Sequence, residues 1–235
     1  MTDPTELSPS TRRAILLLSM ATFSSMSTQR VCDAMLPELA RVFSAPLSQA
    51  AQAISYFAIT YGLMQLFYGP IGDRYGKFRV VIWATLGCAV GCVLSAVSQD
   101  LDFLVWARVL TAVAAAAIIP MSLAWVGDAV SYAVRQETLA RVGLGTMLGI
   151  AGGQVFGGLM SDTLGWRWAF GILAVQFAGV SWLLHRHWTQ IQLPAVQVVN
   201  QGRFMGQLAS VARDRWARVL LSIALIEGAV VFGVM

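Results

Sequence analysis

Charge is what this chain has least of. Only 12% of its 235 residues are Asp, Glu, Lys or Arg, while 57% are hydrophobic; an ordinary soluble domain carries roughly 25% charged residues. Mean hydropathy is +0.66. A soluble fold would have to bury nearly all of itself, and a disordered chain this apolar would collapse, so both classes are excluded. Cysteine is scarce as well. Cys32, Cys88 and Cys92 are an odd set in apolar runs, which gives no disulfide framework and reads as three small hydrophobes. No phosphate loop ending in Gly-Lys-Ser/Thr occurs, so nothing points to an ATP-driven machine. No nucleophile stands beside a base, and an enzyme is not expected.

What is present is a series of apolar runs. Crossing about 30 Å of hydrocarbon takes roughly 20 mostly apolar residues. Seven segments qualify, at 14–36, 50–71, 80–98, 104–126, 142–160, 168–184 and 219–235. The first resembles a signal peptide in having Arg12 and Arg13 ahead of an apolar run. Gln29, Arg30 and Asp33 are unlike a cleavage region, and it reads as a retained helix. Twelve of the sixteen basic residues fall in alternate connecting segments with the N-terminus, from Arg12 and Arg13 to Arg215 and Arg218. Arg41 and Arg167 alone fall in the opposite set. The positive-inside rule then predicts a cytoplasmic N-terminus. The net charge of +4 is topological rather than a mark of nucleic-acid binding.

The organisation expected is a tail at 1–13, a six-helix unit at 14–184, a cytoplasmic linker at 185–218 and the start of a seventh helix at 219–235. The last apolar run has no closing anchor, so a longer protein with a second half is expected. His185-Arg186-His187 has no third ligand nearby and reads as a headgroup anchor rather than a metal site.

The second and third spans are joined by Gly69-Pro-Ile-Gly72-Asp73-Arg74-Tyr-Gly76-Lys77-Phe-Arg79. On the residues alone this is a tight turn, with Gly72 and Gly76 supplying backbone freedom and Asp73 a helix cap. The order of Gly, Asp, Arg, Gly and basic residues resembles the signature loop of the major facilitator superfamily, with Phe78 at one basic position and Arg79 following. Three further matches fall in sequence order. Arg108 in span four resembles the family's membrane arginine, although Thr111 and Ala112 stand where Gln and Gly usually follow. Gly149, Gly153, Gly157 and Gly158, with Gly165-Trp166-Arg167-Trp168 beyond them, are similar to the glycine motif and turn of the drug/proton antiporters. Gln154 occupies that motif's proline position. Asp128 resembles an acid that pairs with the signature loop. The resemblance covers the whole chain and implies an all-α membrane protein, a six-helix N-terminal bundle with a seventh helix begun.

Gly145, Gly149, Gly153 and Gly157 recur every four residues and form one flat helical face. It serves either fixed close packing or a sliding contact between two half-bundles, with Gln154 beside it. Ionisable residues inside spans are costly and mark function. Arg30, Asp33, Arg108 and Glu227 are such residues. Asp33 and Arg108 each fall roughly 6–9 Å below the same surface at 1.5 Å per residue, which predicts an ion pair across a cavity. The alternative for Asp33 is an i, i+3 pair with Arg30. The resemblance strengthens Asp33, since antiporters often carry a protonatable acid before a Leu-Pro such as Leu36-Pro37. Glu227 is a second proton-site candidate.

The function expected is secondary active transport across the plasma (inner) membrane, with the proton gradient as coupling ion and no other cofactor. A small organic compound would be exported by alternating access, in a lipid bilayer and with the absent C-terminal half required. A sugar or metabolite symporter, or a non-transporting fragment that assembles with a partner, are the alternatives.

Overall fold

The structure is a computed structural model that describes residues 7–188 and the single positions Asp214, Trp216, Val219, Ser222 and Ile223. The chain divides into one compact unit, Met1–Gln197, and a second, Val198–Met235. Glu227 and nearly all of the expected linker and seventh span lie outside the described residues.

The described part of the first unit is helical throughout: α1 (Pro9–Val42), α2 (Leu47–Ala50), α3 (Gln52–Tyr75), α4 (Lys77–Ala96), α5 (Leu101–Ala129), α6 (Tyr132–Thr163) and α7 (Trp166–Trp188). Local chemistry sets the boundaries. The Ser8 hydroxyl accepts from the Thr11 amide at 3.1 Å and Pro9 opens α1, a capped start with proline where no donor is lost. Asp100 caps α5 by accepting from the Phe103 amide at 2.7 Å. Gly76 and Gly165, at φ +88° and +94°, make the turns into α4 and α7 in a backbone region open mainly to glycine.

The six long helices match the six expected crossings; α1, α5, α6 and α7 overrun them at both ends, and α3 and α4 at the Gly76 end only. Helix α1 continues through Pro37 to Val42 instead of stopping at residue 36; a proline inside a packed membrane helix is tolerated where neighbours satisfy the freed backbone. Helix α1 also begins at Pro9, inside the segment expected as tail. Helix α6 begins ten residues before its apolar run, carrying Arg135, Glu137 and Arg141, with an Arg141–Glu137 pair at 2.6 Å. The loop expected around residues 69–79 shrinks to Gly76 alone.

Among the described residues, α4, α5, α6 and α7 are long and apolar enough to cross a membrane on composition alone. Helix α1 falls short because it is rich in hydroxyls, and these are inside. Thr22, Ser24, Ser25, Ser27 and Thr28 are all buried. Ser24 and Thr22 return hydrogen bonds to their own helix, while Ser25 and Ser27 donate to the carbonyls of Ala115 and Gly149. Hydropathy counts these groups as polar, whereas the bundle presents them as satisfied contacts.

In the bundle α1 packs most closely on α6, α5 on α4 and α3, and α7 on α4 and α1, with α1 touching α5. Thr28 beside Arg108 and Ser25 beside Ala115 show α1 and α5 running in opposite directions. Helices α1 and α6 run in the same direction. One end therefore gathers the start of α1, Gly76, the α5–α6 junction and the end of α7. The other gathers α2, the α4–α5 turn and Gly165. Arg12, Arg13, Arg74, Lys77, Arg79, Arg135, Arg141 and Arg186 sit toward the Gly76 end, against Arg41 and Arg167 at the other.

Candidate functional site

The glycine row of α6 is used up within the bundle. Gly145, Gly149, Gly153 and Gly157 lie against the carbonyl oxygens of Ser19, Phe23, Ser27 and Val31 on α1, the same four-residue step on both helices. A methyl at Gly153 would stand 2.6 Å from the Ser27 oxygen. The close approach suits Cα–H···O contacts and lets Thr22 and Ser27 reach the Val142 and Gly149 carbonyls, each at 3.3 Å. The face therefore packs against α1 of the same bundle. Gly158 lies beside it in ordinary contact with Ala34.

That packing carries a polar group up to Asp33. Arg30 donates to Asp33 Oδ2 at 3.2 Å, with side chains 14% and 22% exposed, and Gln154 of α6 donates to the same oxygen at 3.4 Å. A turn and a half further along α1, Glu38 accepts from Ser161 of α6 at 2.8 Å. Asp33 lies nine residues from the end of α1 rather than the four expected, because the helix runs past Pro37. The expected Asp33–Arg108 ion pair is not formed. Asp33 is taken by the i, i+3 cation and by α6.

Arg108 lies on the α5 side of α1 and is completely buried. Its guanidinium donates to the carbonyl of Thr28 at 2.6 Å and to that of Gln29 at 3.4 Å, lies 4.0 Å from the centre of the Phe57 ring, and faces Phe170 at 5.9 Å. Among the described residues no carboxylate comes within ion-pair distance of it. Two carbonyl dipoles and an aromatic face carry a charge whose burial costs several kcal/mol. Arg108 Nε and Gln29 Oε1 are both buried and unpaired in the bundle. Nothing in the spacing of Phe57 and Phe170 ties them to an arginine more than fifty residues away in sequence.

The Gly76 end is a second cluster. Lys77 at the start of α4 donates to Asp128 near the end of α5, the partnership the signature loop implied. Gly72 brings α3 against Met121 of α5, while a Cβ at Gly69 would meet nothing within 4 Å. Phe78 turns inward onto Trp125 at 5.5 Å, and Arg79 lies over Trp188 at the end of α7 at 4.2 Å. The two residues thus split the inward and outward faces of α4. Asp73 is not a helix cap. It sits in the last turn of α3, half-buried, and α4 starts from Gly76 with no side-chain cap. Arg74 leans on Tyr75. At the opposite end Trp166 is buried between Phe43 and Phe170, and Arg167 donates to the Ser98 carbonyl at 2.9 Å, tying α7 to the α4–α5 turn.

Comparison with known proteins bears on this arrangement. The YwfA protein of Bacillus subtilis (strain 168), described as an uncharacterized MFS-type transporter, is 30% identical over 157 residues, covering 67% of this chain and 38% of its own. The multidrug export protein EmrB of Escherichia coli (strain K12) is 26% identical over 155 residues, 66% of this chain and 30% of its own. A crystal structure of a peptide transporter, POT in complex with sulfate, matches with TM-score 0.70 at 15% identity, over 93% of this chain and 46% of that one; this likeness concerns the fold. The chain spans less than half the length of each. A family model described as Major Facilitator Superfamily matches residues 18–235. The chain is a multi-pass membrane protein and belongs to the major facilitator superfamily.

Proposed function

We propose that this chain forms the N-terminal half of a proton-coupled secondary transporter that exports small organic compounds by alternating access. The observation that carries the reading is Asp33, a carboxylate well inside a membrane helix and bonded to Arg30 and to Gln154 of a second helix. Ionised, it is matched to Arg30. Protonated, it no longer holds that cation, so loading a proton changes the charge balance on the helix that also supports Arg108. Arg108, whose Nε–H is buried without a partner in the bundle, is the second group we assign to the transport site. Kinship with a multidrug export protein supports efflux over uptake. The Gly76 end, with its basic excess, faces the cytoplasm of the plasma membrane, and a second helical half closes the cavity.

Reconstitution of the complete protein tests this. Compound movement in vesicles follows an imposed proton gradient, and Asp33→Asn abolishes that dependence while binding survives. Movement indifferent to the gradient contradicts proton coupling. Co-transport of protons and compound in one direction replaces export with symport.

A further inference from the structure

The position where α6 carries an amide in place of the motif's proline has a partner. We propose that Gln154 is a positioning residue that holds the Asp33 carboxyl in both of its protonation states. The inference rests on Asp33 as the coupling acid and adds a second helix to its site. Gln154 Nε2 donates to Asp33 Oδ2 at 3.4 Å, and Arg30 donates to the same oxygen at 3.2 Å.

The two partners differ in kind. A guanidinium only donates, whereas a primary amide has two donors and an acceptor. When Asp33 gains a proton, its new O–H needs an acceptor, which Arg30 cannot offer. A half-turn of the Gln154 amide presents Oε1 instead. Close packing brings the two helices together here, with Gly153 and Gly157 on either side of Gln154 against the carbonyls of Ser27 and Val31.

The other charged groups at this level are already engaged or at the surface. Arg108 of α5 is bonded to carbonyls on a different face of α1, Glu38 is shared by Arg41 and Ser161, and Arg167 of α7 is bonded to Ser98. Asp162 of α6 and Asp100 and Asp102 of α5 are exposed. Helix α2 has no charged residue, and the charged groups of α3 and α4 lie at the Gly76 end.

The test compares Gln154→Leu and Gln154→Glu with the parent in the complete protein. Infrared difference spectra across a pH titration identify the Asp33 carboxyl band as the one lost in Asp33→Asn, and transport is measured over the same pH range. In Gln154→Leu the band moves to higher frequency as the acid loses its acceptor. In Gln154→Glu, which keeps the size and the polar end, the pH midpoint of transport rises by about one unit or more, because two neighbouring carboxylates resist ionising together. A merely space-filling Gln154 would change expression or melting temperature and leave band and midpoint where they are, and that result overturns the proposal. If Asp33→Asn keeps normal proton-coupled transport while the band still shifts in Gln154→Leu, the link stands and the coupling role of Asp33 falls.

Discussion

Arg108 and Asp33 show what side-chain chemistry in a sparse charge set reveals and what it conceals. Each is expensive enough inside a span to be picked out from the sequence. Arg30 was legible as a partner of Asp33 at i, i+3, but depth wrongly pointed to Arg108, because depth depended on where α1 ends and Pro37 does not end it. Arg108 is held by carbonyls and rings, so its charge contributes little to folding and its removal should not unfold the bundle. Arg108→Met, similar in length and apolar, is expected to keep or raise the melting temperature in detergent, as buried charges replaced by hydrophobes often do, while transport is lost. Normal transport by this variant would reduce Arg108 to a packing residue. Asp73 makes the complementary case. It forms no hydrogen bond or ion pair within the described bundle, so Asp73→Asn should insert and melt like the parent, within about 0.5 kcal/mol. The resemblance of residues 69–79 to the family's signature loop carries the expectation that Asp73→Asn transports poorly; wild-type transport would leave the loop a topological turn.

At the scale of helices, the α1–α6 contact is the most exacting. Its four-residue repeat was visible in the sequence; the helix that fills it was not, since a flat face says how close a neighbour comes and nothing about which one. Gly153→Val puts branched carbons into the Ser27 carbonyl, and overpacking of this kind costs about 1–3 kcal/mol. The expected result is a lower melting temperature, with the same change at Gly69, where a Cβ meets nothing, having little effect. Equal tolerance at both sites would contradict the packing role. The Lys77–Asp128 pair is partly exposed, at 22% and 46%, and pairs of that sort contribute roughly 0.2–1 kcal/mol. Reversing one charge should therefore slow transport far more than it destabilises, and reversing both should restore it. A double reversal no better than either single one would deny the pair its role. Helix α6 shows the limit of reading spans by apolarity. Arg135, Glu137 and Arg141 lie outside any hydrophobic run yet continue the same helix, with an Arg141–Glu137 pair at i, i+4 on its exposed side.

For the whole molecule, the alternating helix directions and the basic excess at one end agree with the pattern of arginines in the sequence, from Arg12 to Arg141. Composition made the six-helix bundle legible. The hydroxyls of α1 could have obscured its first member, because Thr22 to Thr28 look polar and are buried. A single cysteine placed at exposed Gln99 should react with an impermeant reagent from outside intact cells, and one at exposed Ser131 should not; the three native cysteines are buried and free and leave little background. The reverse pattern would invert the orientation. The central claim is that Asp33 exchanges its proton with the binding of compound. Proton release on adding compound to the purified, weakly buffered complete protein reads this most directly. The account predicts release approaching one proton per compound bound by the parent, and binding without release by Asp33→Asn. Equal release from both proteins would contradict it.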